Sequence, residues 1–100
     1  MKVLEKAVYF DGEKLRPIIS KYQNGQNRIL LIDNDGVPYM TASVAIEHEM
    51  VEVGQDDVII KNYSENEGIL QELFHAGIIE EPHRAFTYNF VTLYVCKIVK

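Results

Sequence analysis

Asp11-Gly12 and Asp33-Asn34-Asp35-Gly36 each lie between two short apolar-rich runs, and these two breaks constrain the chain more than anything else in it. Asp-Gly supplies the positive backbone angles that a tight hairpin requires. KAVYF and KLRPIISKY are therefore predicted to pair across the first break, and RILLID and PYMTASVAI across the second. QNGQN, from Gln23 to Asn27, is a polar loop. Pro17 has no N–H to give to a ladder, which places its strand, at least locally, on an edge or at a bulge. Alternation in PYMTASVAI puts Met40, Ala42, Val44 and Ile46 on one face and Tyr39, Thr41, Ser43 and Ala45 on the other.

The stretch His48 to Asp57 reads as a connection, and Val58 to Lys61 as a short strand rich in β-branched residues. NYSENEG follows. Ser64 and Glu67 stand at the spacing of a capping box, in which the hydroxyl accepts from the Glu67 amide and the carboxylate returns to the Ser64 amide. Glu65 and Glu67 then fall in a first helical turn, where the helix dipole favours acids. Ile69, Leu70, Leu73 and Phe74 recur at helical spacing, and Gly77 suits the left-handed residue that ends a helix. After the polar break EEPHR, Phe86, Tyr88 and Phe90 share one parity and Val91, Leu93 and Val95 the other. A turn or bulge at Asn89-Phe90 reconciles them. The prediction is a single α+β domain over 1–100: an antiparallel sheet of five or six strands built from hairpins, with one amphipathic helix packed on a face.

Charge is distributed unevenly. Glu47, Glu49, Glu52, Asp56, Asp57, Glu65, Glu67, Glu72, Glu80 and Glu81 face a single base, Lys61, between positions 47 and 81, while the rest of the chain is net positive. Phosphate contacts need clustered Lys and Arg, so direct nucleic-acid binding is not expected. Glu5 and Lys6 break the apolar start, which argues against a secretory leader. No apolar run approaches membrane-spanning length, and a cytoplasmic protein is expected. Cys96, the one cysteine, lies in the run VTLYVCKIV and reads as a small buried hydrophobe.

Signs of catalysis are weak. An EF-hand register with Gly36 sixth would put Leu31 and Ala42 where carboxylate ligands belong, so DNDG is a turn. His48, His75 and His83 have no partner at zinc-site spacing, and neither metal nor cofactor is expected. No nucleophile elbow, phosphate-binding glycine loop or dinucleotide fingerprint is present. Paired carboxylates such as Asp56-Asp57 and Glu80-Glu81 read as solvated surface. A binding role has more support. Tyr63 beside a carboxylate-rich helix start is a candidate aromatic anchor, and Tyr63, Glu65, Asn66, Glu67, Glu72, Asp56 and Asp57 are the candidate partner-binding residues.

The block KNYSENEG, together with R-x-L-L-I-D, D-G-x-P-Y, A-G-I-I and F-V-T-L-Y-V-C-K, resembles a family of small uncharacterised bacterial proteins, a domain of unknown function common on plasmids, phages and other mobile elements. The resemblance runs from about Arg28 onward and is most specific from Lys61 to Gly68. It implies no catalytic residue. It implies a protein that works by stoichiometric binding, with an acidic surface docked on a basic partner such as a host nuclease of a defence system. Two other readings stand beside it. One is a small enzyme or ligand-binding domain with a pocket between helix and sheet near Tyr63, Asn66 and His75. The other is a structural or assembly subunit that forms a homo-oligomer through the last strand's aromatic residues and the edge strand holding Pro17.

Overall fold

Asp11 and Gly12 take φ of 54° and 77°, the two left-handed residues of a tight hairpin turn, and so join β2 (Val8–Phe10) to β3 (Glu13–Lys21). The coordinates are a computed structural model that describes residues 2–100. β1 (Lys2–Val3) pairs with the far half of β3. β3 also pairs along its other side with β4 (Asn27–Ile32), which turns through Asp33–Gly36 into β5 (Pro38–Thr41). In that turn the Asp33 carboxylate accepts the N–H groups of Asp35 and Val37, both at 2.9 Å.

β3 is thus interior, and Pro17 is not on a sheet edge. Its carbonyl accepts from Leu4 N–H at 2.9 Å, on the side where β1 stops and β2 has yet to begin. The missing donor falls at this gap between two half-length partners, so no ladder bond is lost. β3 therefore offers no free edge for a second copy.

The remaining strands form a second antiparallel sheet, ordered β6 (Asp57–Lys61), β8 (Val91–Lys97), β7 (Arg84–Tyr88). Asn89 and Phe90, at φ of 49° and 69°, make the β7–β8 turn where the two apolar phases meet. Left-handed backbone costs a residue with a Cβ about 1–2 kcal/mol, so this turn is held against the preference of Phe90.

The long strand expected over PYMTASVAI ends at Thr41 because the chain changes partners there. Ala42 N–H donates to Ile29 of β4, while its carbonyl accepts from Lys61 of β6, each at 2.9 Å. Ser43 then bridges to Ile60, and Val44 N–H donates to Ile59 at 3.0 Å. Ser43 is accordingly buried together with Ala42, and its hydroxyl accepts the otherwise unpaired Ile29 N–H at 2.9 Å. The two sheets are stitched along this crossover.

β6 is buried on both faces. Val58 and Ile60 join Val8, Leu15, Ile29, Leu31, Ile69 and Leu73 in the main core. Ile59 faces the other way, into a smaller cluster with Ile46, Val51 and Leu93. Each such side chain removed from water contributes about 1.5–3 kcal/mol. No helix among the described residues is long and apolar enough to cross a membrane.

The single α-helix among the described residues is α1 (Ile69–His75), which lays Ile69 and Leu73 on the main core. The predicted capping box does not form. Ser64 takes φ of 58° and opens a separate 3-10 turn, Ser64–Asn66, in which Glu67 N–H reaches the Ser64 carbonyl and not its hydroxyl. Gly68, at φ of 96°, resets the chain before α1, and the capping oxygen comes from Asn62, whose Oδ1 accepts from Gly68 and Leu70 at 3.1 and 2.9 Å. At the other end, Gly77 N–H bonds Phe74 and Ile78 N–H bonds Leu73, so the left-handed Gly77 closes the helix as predicted.

Asn62→Ala should therefore cost about 1–2 kcal/mol in urea denaturation, as loss of a cap does. Ser64→Ala should stay within about 0.5 kcal/mol of the parent. The reverse order would restore the capping box.

Candidate partner-binding surface

Five of the seven predicted partner-binding residues have internal duties. Asn66 is 2% exposed, and its amide donates to the Thr41 carbonyl at 2.9 Å, fixing the 3-10 turn to the end of β5. Tyr63 is half-buried against the smaller cluster, with Lys61 Nζ 5.2 Å from the centre of its ring. Glu65 pairs with Lys61 at 2.7 Å. The ammonium, the residue's own N–H and the Ser64 hydroxyl together pull its carboxyl down to about 2. Asp56 pairs with Lys100 at 2.8 Å. Glu67 is exposed, and Glu72 lines a small cleft with Tyr9 and His75. The residues from Asn62 to Glu72 are therefore chiefly a structural joint.

Asp57 lies deepest. Its side chain is 7% exposed; Oδ1 sits 2.8 Å from His83 Nε2 and 3.7 Å from Lys97 Nζ, and Oδ2 accepts Gly54 N–H at 2.7 Å. Burial pushes this carboxyl up, yet the Gly54 N–H, the His83 hydrogen bond and the neighbouring cations outweigh it and hold the group below its ordinary value. A Cβ at Gly54 would lie 3.2 Å from Oδ2, so a larger residue there would push the carboxylate aside by a few tenths of an ångström. Asn27 secures the same segment from the other sheet, donating to the carbonyls of Gln55 and Asp57 at 2.9 and 2.8 Å.

A carboxylate-oriented imidazole of this kind is the geometry of a general base. The cleft it borders, about 340 Å³, is lined by Glu52, Val53, Gly54, Asp57, His83 and Arg84, a set without a hydroxyl or thiol nucleophile. The Arg84 guanidinium is committed to the Glu52 carbonyl. The arrangement locks the 54–57 turn to β7. Cys96 is buried, with its thiol pushed up to about 12 by burial and by the Asp57 charge, so it is not nucleophilic at neutral pH. No group of three or more potential metal ligands occurs among the described residues.

The expected pocket between helix and sheet is also absent as a convergent site. Ile69 and Leu73 fill that interface, and the two clefts bordered by His75 include neither Tyr63 nor Asn66. Of the aromatic residues expected to make an oligomer contact, Phe86 and Tyr88 pack on the smaller cluster and Tyr94 on the main core.

Glu67, Glu72, Glu80 and Glu81 also lack an ion-pair partner among the described residues, but three such acids fall within six residues on the loop that follows the sheet crossover. Among the described residues no Lys, Arg or His side chain comes within ion-pair distance of Glu47, Glu49 or Glu52. The loop is nevertheless well held. Gln26 grips Ile46 through both its amide atoms, at 2.8 and 2.9 Å, and Asn24 donates to the same carbonyl at 3.2 Å. His48 Nε2 meets the Asn24 carbonyl at 2.8 Å, and Ile46 and Val51 anchor the ends in the smaller cluster. Tyr88 donates to Glu47 at 3.2 Å, and the Glu47 charge raises the phenol. A cleft of about 570 Å³ opens alongside, bordered by Tyr22, Asn24, Ile46, Glu47, His48 and Glu49. Sequence reasoning placed Glu47, Glu49 and Glu52 in the acidic run but missed Asn24, Gln26 and Asn27. Their polar side chains beside an apolar strand were the available signal.

Since the folded Asp57 carboxyl lies below its unfolded value near 3.8, its contribution to stability is complete above that value and drains as the pH falls through the folded value. Asp57→Asn should thus cost about 1.5–3 kcal/mol at pH 7 in urea denaturation. The gap from the parent should narrow in acid; a gap independent of pH would rule out the charged pair.

Comparison of the chain with protein-family models, with curated proteins and with solved structures gives no match.

Proposed function

We propose that this chain is a non-catalytic binding protein that docks the Glu47–Glu52 loop on a basic protein surface, and that the surface is the nucleic-acid channel of a nuclease defending a host against mobile elements. The observation that carries the reading is the contrast within the acidic run. Lys61, Lys97 and Lys100 pair with Glu65, Asp57 and Asp56, whereas among the described residues Glu47, Glu49 and Glu52 have no cationic partner and sit on a loop held by Gln26 and Asn24.

Unpaired carboxylates spaced along a held loop mimic the spaced charges of a phosphate backbone. A partner that holds nucleic acid presents Lys and Arg in the complementary arrangement. Potentials of opposite sign speed encounter and fix orientation. Ordering the loop in advance also lowers the entropy lost on docking.

Immobilised protein should retain a nucleic-acid-binding protein from host extract at low ionic strength, release it when salt is raised above roughly 0.5 M, where charges are screened within a few ångströms, and release it to added duplex DNA. Simultaneous Glu47→Lys, Glu49→Lys and Glu52→Lys should weaken retention by about tenfold or more. Retention indifferent to the three reversals, or to DNA, would sink the reading.

A further inference from the structure

Two turns in this chain have nearly the same pair of φ angles. Asp11-Gly12 sits at φ of 54° and 77°, Asn89-Phe90 at 49° and 69°. At the second position the first turn has glycine, the residue for which positive φ carries no steric penalty, and the other turn has phenylalanine. A β-hairpin of this type needs nothing from a side chain at that place. The Phe90 ring gives nothing back to the fold either, because it is wholly exposed, whereas Tyr9 and Met50 retain some cover. The chain therefore bears a strained backbone and an apolar ring in water at one residue. Such an outlier is the kind of local cost that persists at recognition sites.

Its neighbours connect the turn to the acidic loop. Tyr88, one residue before the turn, packs on the cluster that anchors the acidic loop and donates to Glu47. The strand that leads into the turn is thus tied to the segment that carries Glu47, Glu49 and Glu52, on which Met50 is also exposed. We infer that Phe90 is the apolar anchor of the docking surface and that its partner offers an apolar pocket rimmed by lysine or arginine side chains. The inference rests on the reading of the acidic loop as the docking element. It adds that charge steers the encounter while a single buried ring holds the complex, the usual division between rim and centre.

Folding and binding make opposite demands on this residue, which makes the test decisive. Phe90→Gly should raise the denaturation midpoint and yet weaken retention of the captured protein by about 30-fold, the loss typical of an anchor residue. Phe90→Trp should keep most of the retention. p-Benzoylphenylalanine at position 90 should crosslink in host cells to that same protein, and at the exposed Asn34 it should not. Retention by Phe90→Gly within about twofold of the parent, alongside loss in the triple Glu→Lys variant, would overturn the anchor and leave the acidic loop standing. No retention by the parent protein would remove both. Binding to phosphatidylcholine vesicles that disappears in Phe90→Gly would assign the ring to a lipid surface and overturn the protein pocket.

Discussion

Two hydrogen bonds at Ala42 determine the architecture. Its N–H belongs to β4 and its carbonyl to β6, so one residue ends one sheet and begins its attachment to the next. Ser43 and Val44 extend the seam. The seam lets β6 be buried on both faces, with Val58 and Ile60 toward the main core and Ile59 toward the smaller cluster. It also sends residues 45–53 across the outer face of the β6–β8–β7 sheet, where Val51 and Ile46 hold them.

From that placement the proposed function follows in short steps. Asn24 and Gln26, in the β3–β4 turn, fasten the loop where it leaves the seam, and the Asn27–Asp57–His83 network fastens it where it rejoins β6. Among the described residues Glu47, Glu49 and Glu52, between these points, meet no base, while Asp56, Asp57 and Glu65 do. β7 brings Tyr88 to Glu47 and carries Phe90 out past it. The helix, by contrast, serves packing: Asn62 caps it, Asn66 ties its approach to β5, and Ile69 and Leu73 close the main core.

The hairpins were legible because their signals are local. Asp-Gly at 11–12 demands positive φ, and the parity conflict between Tyr88 and Val91 demands a turn between them. The helix was legible as periodicity, but its start was not. Ser64 and Glu67 have the spacing of a capping box, while the oxygen that caps comes from Asn62, across a left-handed Gly68. The division into two sheets could not be read, since the split loyalty of Ala42 depends on strands distant in sequence. The same holds for the acidic run. Lys61 stands four residues from Glu65, a spacing visible in the sequence, but Lys97 reaches Asp57 only because β6 and β8 pair in register there. Counting charges along the chain therefore overstated the free ones.

The claim that most needs testing is that recognition uses the loop and hairpin on the outer face of the β6–β8–β7 sheet and not the NYSENEG joint. Amide hydrogen exchange of the protein free and with its captured partner compares the two directly. Added protection should be confined to residues 45–53 and 87–92, with exchange in 62–75 unchanged. Protection centred on 62–75, with the loop and hairpin exchanging as freely as before, would contradict the account.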